Sequence, residues 1–588
     1  MATTLPPLGE KTLGEAIPPD TPHAVSVSLP TWKCNVGYEE GETWVLDKMQ
    51  CGYPRFMIHK SINRLAQRIV NDFGSAETDK AMLFPSTNCA KRCVQFILEQ
   101  NPDVDRSLIR TLKFVPMEEN VSPIEKRVSP RLTVVIYPKS LWPSAKAFWQ
   151  HVGEGVSSRR ADFCEKAYVE GSLVEEGSGA RPSSRRPHKG PRRYQKSSAS
   201  LDSPEAVEPD SARFVEERFG RNLDVQFAAQ AKFAIRQRIA GSLSVKEPNG
   251  TTNGNSPDSS SNERRSGFSV DDVYLFPTGM NAIFHAHQTL MKANGKKPSV
   301  MYGFPYVDTL KVLEKFGPGA QFYGLGNSDD LDDLERRLEN GEEFLALFCE
   351  FPSNPLLRSP NLARIRALAD KYNFAVVIDE TIGNFLNVHV LPYADILVSS
   401  LTKMFSGDSN VMGGSLVVNP NSPHYAALKR VLGTDYEDNL FEEDSIYLER
   451  NSRDFASRTR RVNHNAELIC ELLLKHPAVK QVNYPRCSDT REFYDRCRLP
   501  DGGYGGLLSC TFYRIEDAQV FHDNLQTHKG PSLGTNFTLC SPFVILAHYT
   551  ELEWAARYGC EANLVRFSVG LEDSATLKEV FERALATI

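Results

Sequence analysis

The sequence predicts an α/β protein whose main body is a doubly wound, mostly parallel sheet. Two observations predict it: after Gly267 short apolar runs alternate with stretches of helical spacing, and polar motifs able to do chemistry fall where the apolar runs end. The runs are VYLFPTGM, PSVMYGF, FLALFCEF, FAVVIDET and ADILVSSL. Near-continuous apolar character over so few residues is what a strand buried on both faces requires. Between them NAIFHAHQTLMKA, VDTLKVLEKFG, LDDLERRLEN and LARIRALADKY carry helical spacing, with charged ends that complement the helix dipole. Strand and helix alternating at this pace build a parallel sheet covered on both faces, and ligands bind at the carboxyl ends of its strands. TGM, PSNP, DET and LTK all fall there.

Composition narrows the remaining options. With 588 residues the chain exceeds what one core usually serves, so several domains are expected. A formal charge of −6 offers no electrostatic case for nucleic acid as a partner. No run of about 18 apolar residues exists, so no membrane span is expected. The opening MATTLPPLGEKTLGEAIPPD has neither a basic nor an apolar signal region, and the 12 cysteines form no paired CxxC sets. Reduced thiols in the cytoplasm are the expectation. Cys89 and Cys93 could share a helix face, but two thiols without a second ligand pair make a poor zinc site, so no metal is expected.

Compositional breaks divide the chain. Residues 1–21 are Pro-rich and expected to fray, and 22–174 form an amino-terminal extension. Residues 175–211 are a Ser/Pro/Arg-rich linker without enough apolar surface to offset ordering entropy, and an insert at 246–266 has the same character. The basic run Arg181–Arg193 reads as a solvated linker rather than a polyanion site. Residues 212–420 would form the catalytic domain, and 421–588 a smaller carboxyl-terminal α/β domain completing the site.

Taken singly, the motifs are ambiguous. Thr278-Gly279-Met280 ends a strand and opens a helix, so its N–H groups could cradle a phosphate, or it is a tight turn. Asp379 closes FAVVID and serves either as a helix cap or as counter-ion to a cationic ligand atom. Ser400, Thr402 and Lys403 bring two hydroxyls and an amine to another strand end, or are loop polarity.

Their order says more. TGM, Tyr306, SNP at 353–355, VIDET, SSLTK, the SLG of Ser532–Gly534 and Arg566 in LVRFSVGLED together resemble the Cys/Met-metabolism family of pyridoxal-phosphate (PLP) enzymes, over roughly residues 213–588. CEFPSNPLL, VIDETIGNFLN and SSLTKMFSGDSNVMGGS are most similar to the fungal cystathionine γ-synthases within it. The resemblance implies fold type I, a homotetramer assembled from dimers, and PLP as cofactor. It implies that Lys403 carries PLP as a Schiff base, that Asp379 pairs with the pyridinium nitrogen, and that Tyr306 stacks on the ring. Gly279 and Met280 amides with the Ser400 and Thr402 hydroxyls would hold the phosphate. Asn354 would lie near the ring oxygen and the substrate, Ser532 near the substrate, and Arg566 would clamp its α-carboxylate through two hydrogen bonds.

The family also binds the phosphate with a Tyr-x-Arg pair from a neighbouring subunit. Here Phe219-Gly220-Arg221 keeps the arginine, while Tyr53-Pro54-Arg55 matches fully; Arg221 is preferred because only one insert separates it from TGM. AMLFPSTNCAKRCVQFI, after Arg55, echoes VYLFPTGMNAIFHAHQTL, so the extension looks like a degenerate copy of the catalytic lead-in. Glu380 and Pro531 depart from residues common in the family. The implied activity is γ-replacement of an O-acylhomoserine ester by the thiol of cysteine, giving cystathionine. Alternatives are a cystathionine lyase, a homocysteine-forming sulfhydrylase, a γ-substitution with a carbon nucleophile, or a non-catalytic scaffold.

Overall fold

The computed structural model describes residues 12–51, 57–117, 131–177, 222–244 and 268–588. The first layer is an antiparallel sheet of β1 (Asp79–Phe84), β2 (Arg110–Pro116), β3 (Leu132–Pro138) and β4 (Leu173–Glu175), in the order β1-β3-β2-β4. Its central strand β3 (LTVVIYP) is buried over its first six residues. Helices α1 (Lys60–Phe73), α2 (Thr87–Gln100), α3 (Trp142–Val152) and α4 (Ser158–Val169) complete this unit. Ser86 caps α2 by accepting from Cys89 N, so β1, the LFPSTN turn and α2 repeat a strand–turn–helix arrangement found again at TGM. Helix α5 (Asn222–Leu243) follows, with Ile235, Ile239, Ala240 and Leu243 in the core it shares with the central sheet.

The central body has seven strands: β5 (Val273–Phe276), β6 (Ser299–Tyr302), β7 (Ala320–Tyr323), β8 (Ala346–Glu350), β9 (Ala375–Asp379), β10 (Ile396–Ser400) and β11 (Gly414–Val418). Their order is β5-β11-β10-β9-β8-β6-β7. The sheet is parallel except at β11, which runs antiparallel to both β10 and β5. Side chains alternate between two cores: Val377, Ile396 and Val398 face one, while Val376, Ile378 and Leu397 face the other. Helices α6 (Gly279–Asn294) and α7 (Val307–Lys315) cover the first face; α8 (Ser328–Glu339) and α9 (Leu362–Tyr372) cover the second. Burial on both faces explains why these strands read as unbroken apolar runs.

Beyond β11 come α10 (Tyr425–Asp435), α11 (Glu442–Asn451) and α12 (Phe455–Leu473), then a second sheet. Its strands are β12 (Val479–Asn483), β13 (Leu507–Phe512), β14 (His528–Lys529), β15 (Leu539–Ser541) and β16 (Leu564–Ser568), ordered β12-β13-β16-β15-β14. Ser509, Arg566 and Ser541 lie side by side across β13, β16 and β15, which puts Arg566 mid-sheet.

Residues 12–21, expected to fray with the rest of 1–21, are packed: Leu13 is 4% and Ile17 1% exposed, and Ile17 packs with Phe537 and Leu539. Hydrogen bonds extend this strap, from Leu29 N to Lys529 O (2.9 Å) and from Ser26 Oγ to Pro531 O (2.5 Å). Proline-rich composition misled because two well-placed apolar residues and backbone pairing suffice to tie a short segment down. Arg221, Tyr53–Arg55, the insert 246–266 and residues 178–211 of the linker lie outside the described residues.

Candidate active site

Three strand ends and two crossing segments surround one cavity. At the end of β5, Thr278 N-caps α6, its Oγ1 accepting from Asn281 N at 3.0 Å. Gly279 follows, at the helix N-terminus. A Cβ on Gly279 would lie 2.7 Å from Ser400 Cβ, so only glycine lets this turn meet the end of β10. Beyond β10 the chain turns sharply through Thr402 and Lys403; the Thr402 hydroxyl accepts from Gly413 N at 3.2 Å.

Lys403 is 6% exposed, and its Nζ donates to Ser532 Oγ at 3.1 Å. Ser532 has φ +106, a backbone conformation rarely adopted by a residue with a side chain. Strain of this kind persists only where the surroundings over-determine it. Here Arg566 Nη2 grips the Ser532 carbonyl at 2.7 Å, and Gly534 N donates to Ser568 Oγ at 2.6 Å. The neighbouring Nη1 of Arg566 donates to Asn354 Oδ1 at 3.1 Å, and its guanidinium lies 4.6 Å from the Phe543 ring centroid. Arg566 is 5% exposed: the carboxyl-terminal sheet carries a buried cation to the cavity wall.

The acidic side of the cavity holds Asp379 and Glu350, at the ends of β9 and β8. Asp379 Oδ1 accepts from Thr381 N at 2.9 Å, and burial raises its carboxyl above the usual range. Burial, then the charge of Asp379, pushes Glu350 up to about 8. Glu350 Oε1 accepts from Tyr306 N at 2.5 Å and Oε2 from Asn354 N at 3.0 Å, so one carboxyl group fixes two residues of the cavity wall. Glu380 is fully buried behind them, and burial holds its proton even more firmly.

The structure brings Gly279, Met280, Tyr306, Asn354, Asp379, Ser400, Thr402, Lys403, Ser532 and Arg566 to this one cavity. Taken alone, Arg566 reads as a surface charge; the sheet buries it. Sequence reasoning missed Glu350, Thr381, Phe543 and the wall made by Trp149, Gln150, Gly153 and Gly155 of the extension. For Glu350 a signal existed, a carboxylate closing FLALFCE as Asp379 closes FAVVID. For the extension there was none, because its approach to TGM is purely tertiary.

Residues 268–586 match the family described as Cys/Met metabolism PLP-dependent enzyme, and 61–157 match that described as fungal trans-sulfuration enzyme, N-terminal domain. A cystathionine gamma-synthase of Neurospora crassa is 51% identical, over 97% of this chain and 98% of its own. One from Saccharomyces cerevisiae is 40% identical over 98% and 99%, and a cystathionine gamma-synthase-like enzyme of Amanita muscaria, iboG2, 43% over 97% and 96%. The chain belongs to the Cys/Met-metabolism family of PLP-dependent enzymes.

Membership makes PLP the cofactor and the seven-stranded sheet the large domain of fold type I. The cavity suits such a group. Close approach at Gly279 leaves the amino end of a 16-residue helix open to an anion beside two hydroxyls. A buried carboxylate at Asp379 suits a cationic ring nitrogen, which would offset the cost of burying it. The buried amine of Lys403 suits the aldehyde of such a group. Among the described residues no group of metal-ligating side chains and no helix long and apolar enough to cross a membrane occurs.

Proposed function

We propose that this enzyme is a cystathionine γ-synthase, replacing the γ-ester of an O-acylhomoserine by the thiol of L-cysteine. What carries the reading is that Lys403, Asp379 and Arg566 converge on one cavity in a chain 51% identical to a cystathionine gamma-synthase over nearly its whole length.

Gly279, Met280, Ser400 and Thr402 would hold the PLP phosphate, Tyr306 and Asp379 its ring, and Lys403 its carbonyl carbon. Bound PLP supplies an electron sink for the pair left when a proton departs from Cα. The paired N–H groups of Arg566 receive the substrate α-carboxylate, and Asn354, already bonded to Arg566, fixes the fork. Lys403 Nζ takes the proton from Cα and then one from Cβ, so the acyl group leaves Cγ as its carboxylate; the cysteine sulfur adds at Cγ, and protons return to Cβ and Cα. Ser532 Oγ, its partner in the resting site, orients the amine through this shuttle. Phe543 and the buried walls exclude water, which would otherwise compete with the thiol.

All 12 cysteines are free thiols, which supports a reducing compartment such as the cytoplasm, and we assign the working form to a homo-oligomer on family grounds. The test is product analysis with purified protein and each O-acylhomoserine ester. Cystathionine formed only with cysteine present is the expected result. Homocysteine from sulfide at a higher kcat/KM, or 2-oxobutyrate as the main product without a nucleophile, overturns it. Lys403→Ala should lose both the visible PLP absorption and turnover.

A further inference from the structure

The extension has no role in the reading above, yet helix α3 grips two elements of the cavity at once. Gly153, just beyond α3 at φ +68, accepts from Thr278 Oγ1 at 3.2 Å, and any Cβ on it would collide with that hydroxyl. Val152 O accepts from Asn281 Nδ2 at 3.3 Å. On the other side, Gln150 Nε2 donates to Asp308 Oδ1 at 3.2 Å, and His151 Nδ1 lies 2.9 Å from the same oxygen. Asp308 is the second residue of α7, the helix that Tyr306 caps.

The grip has a rigid backing. Glu154, 1% exposed, is held by Arg92 of α2 at 2.5 and 3.0 Å and lies 3.2 Å from His285 of α6. Removing one member of so buried a cluster would leave a charge uncompensated, so its geometry is firmly set. Phe96 of α2 stacks on Phe316 just past α7 at 4.7 Å, and Phe284 and Val312 join the core of the extension.

We propose that the extension is a positioning domain: α3 and the 153–155 turn set the spacing between the Thr278–Gly279 turn and Tyr306, and so the fit of the cavity around PLP. This rests on assigning the cavity to PLP as above. The two elements follow different strands, β5 and β6, and loops beyond strand ends move unless something rigid ties them. A site of this kind works only when held within about 0.5 Å of its productive geometry. The attachments to Thr278 and Asp308 come from residues three apart on one helix end, which makes α3 a fixed spacer.

The test uses the full-length protein stripped of PLP and titrated back, reading the cofactor Kd and the circular dichroism of its visible band. Gly153→Ala, whose methyl group pushes the Thr278 hydroxyl away, and Gln150→Leu, which removes the hydrogen bond to Asp308, should each raise Kd about tenfold, and should change the dichroism. Ile136→Val thins the β3 core while leaving every α3 bond to Thr278 and Asp308 in place, and should leave Kd within about twofold. Wild-type Kd and dichroism in both α3 variants overturn the proposal, as does an equal loss in Ile136→Val, which marks general destabilisation. If the wild-type chain itself takes up no PLP, the reading beneath fails as well, a result distinct from the other two.

Discussion

Asp379 and Glu350 stand one strand apart at the same sheet end, and their chemistry diverges. In the reading above, Asp379 must be ionised to hold the ring nitrogen protonated. Asp379→Asn keeps the shape and removes the charge, so removal of the Cα proton should slow roughly a hundred- to thousand-fold, as when one preorganised electrostatic group is lost. Stopped-flow deuterium exchange at Cα measures this, and exchange at the wild-type rate would exclude Asp379 from the role. Glu350 instead holds a proton that the unfolded chain would release. A carboxyl raised from 4.5 to about 8 favours the fold fully below its unfolded pKa, and that contribution is lost as pH rises through about 8. Apo-enzyme Tm should therefore decline less steeply over that window in Glu350→Gln than in wild type; parallel declines would show that Glu350 titrates normally. Asp379 was legible because aspartate ending an apolar strand is conspicuous. Glu350 carries the same signal, at the end of FLALFCE.

At the scale of elements, the sequence exposed what depends on local pattern. Strands β5, β6, β8, β9 and β10 are visible as apolar runs because both faces are covered, and α6 to α9 as periodic stretches. The antiparallel insertion of β11 between β5 and β10 was not visible, since nothing in GSLVV encodes a direction. This insertion brings Gly414 against the Thr278 carbonyl and thereby presses the TGM turn toward β10. The fit at Gly279 is correspondingly intolerant: a methyl group there meets Ser400 Cβ and, at 3.0 Å, its Cα. Gly279→Ala should weaken PLP binding by at least about tenfold, the cost of shifting a preorganised donor array, while far-ultraviolet dichroism stays unchanged. An unaltered Kd by cofactor titration would mean that the phosphate lies elsewhere.

For the molecule as a whole, the alternation of strand and helix announced the catalytic body, but its closure by segments distant in sequence could not be read. The strap of residues 12–29 seals the 529–532 loop, whose Ser532 side chain holds Lys403. Deleting residues 1–29 should lower kcat/KM by roughly ten- to a hundredfold, because a displacement near 1 Å is enough for that, and should open the chain to limited proteolysis near residues 529–537. Wild-type kinetics in that truncation would make the strap ornamental. Time adds a further consequence. Ser26 and the Pro531 it binds are separated by 505 positions, so at about 5–20 residues per second the strap leaves the ribosome roughly 25–100 s before its seat exists. Throughout that wait Ile17 lacks Phe537 and Leu539, its packing partners, and prolines at 18, 19 and 22 stand beside it. Proline interrupts strand pairing between chains, so the composition that disguised this segment as a loose end also protects it while the nascent enzyme is unfinished.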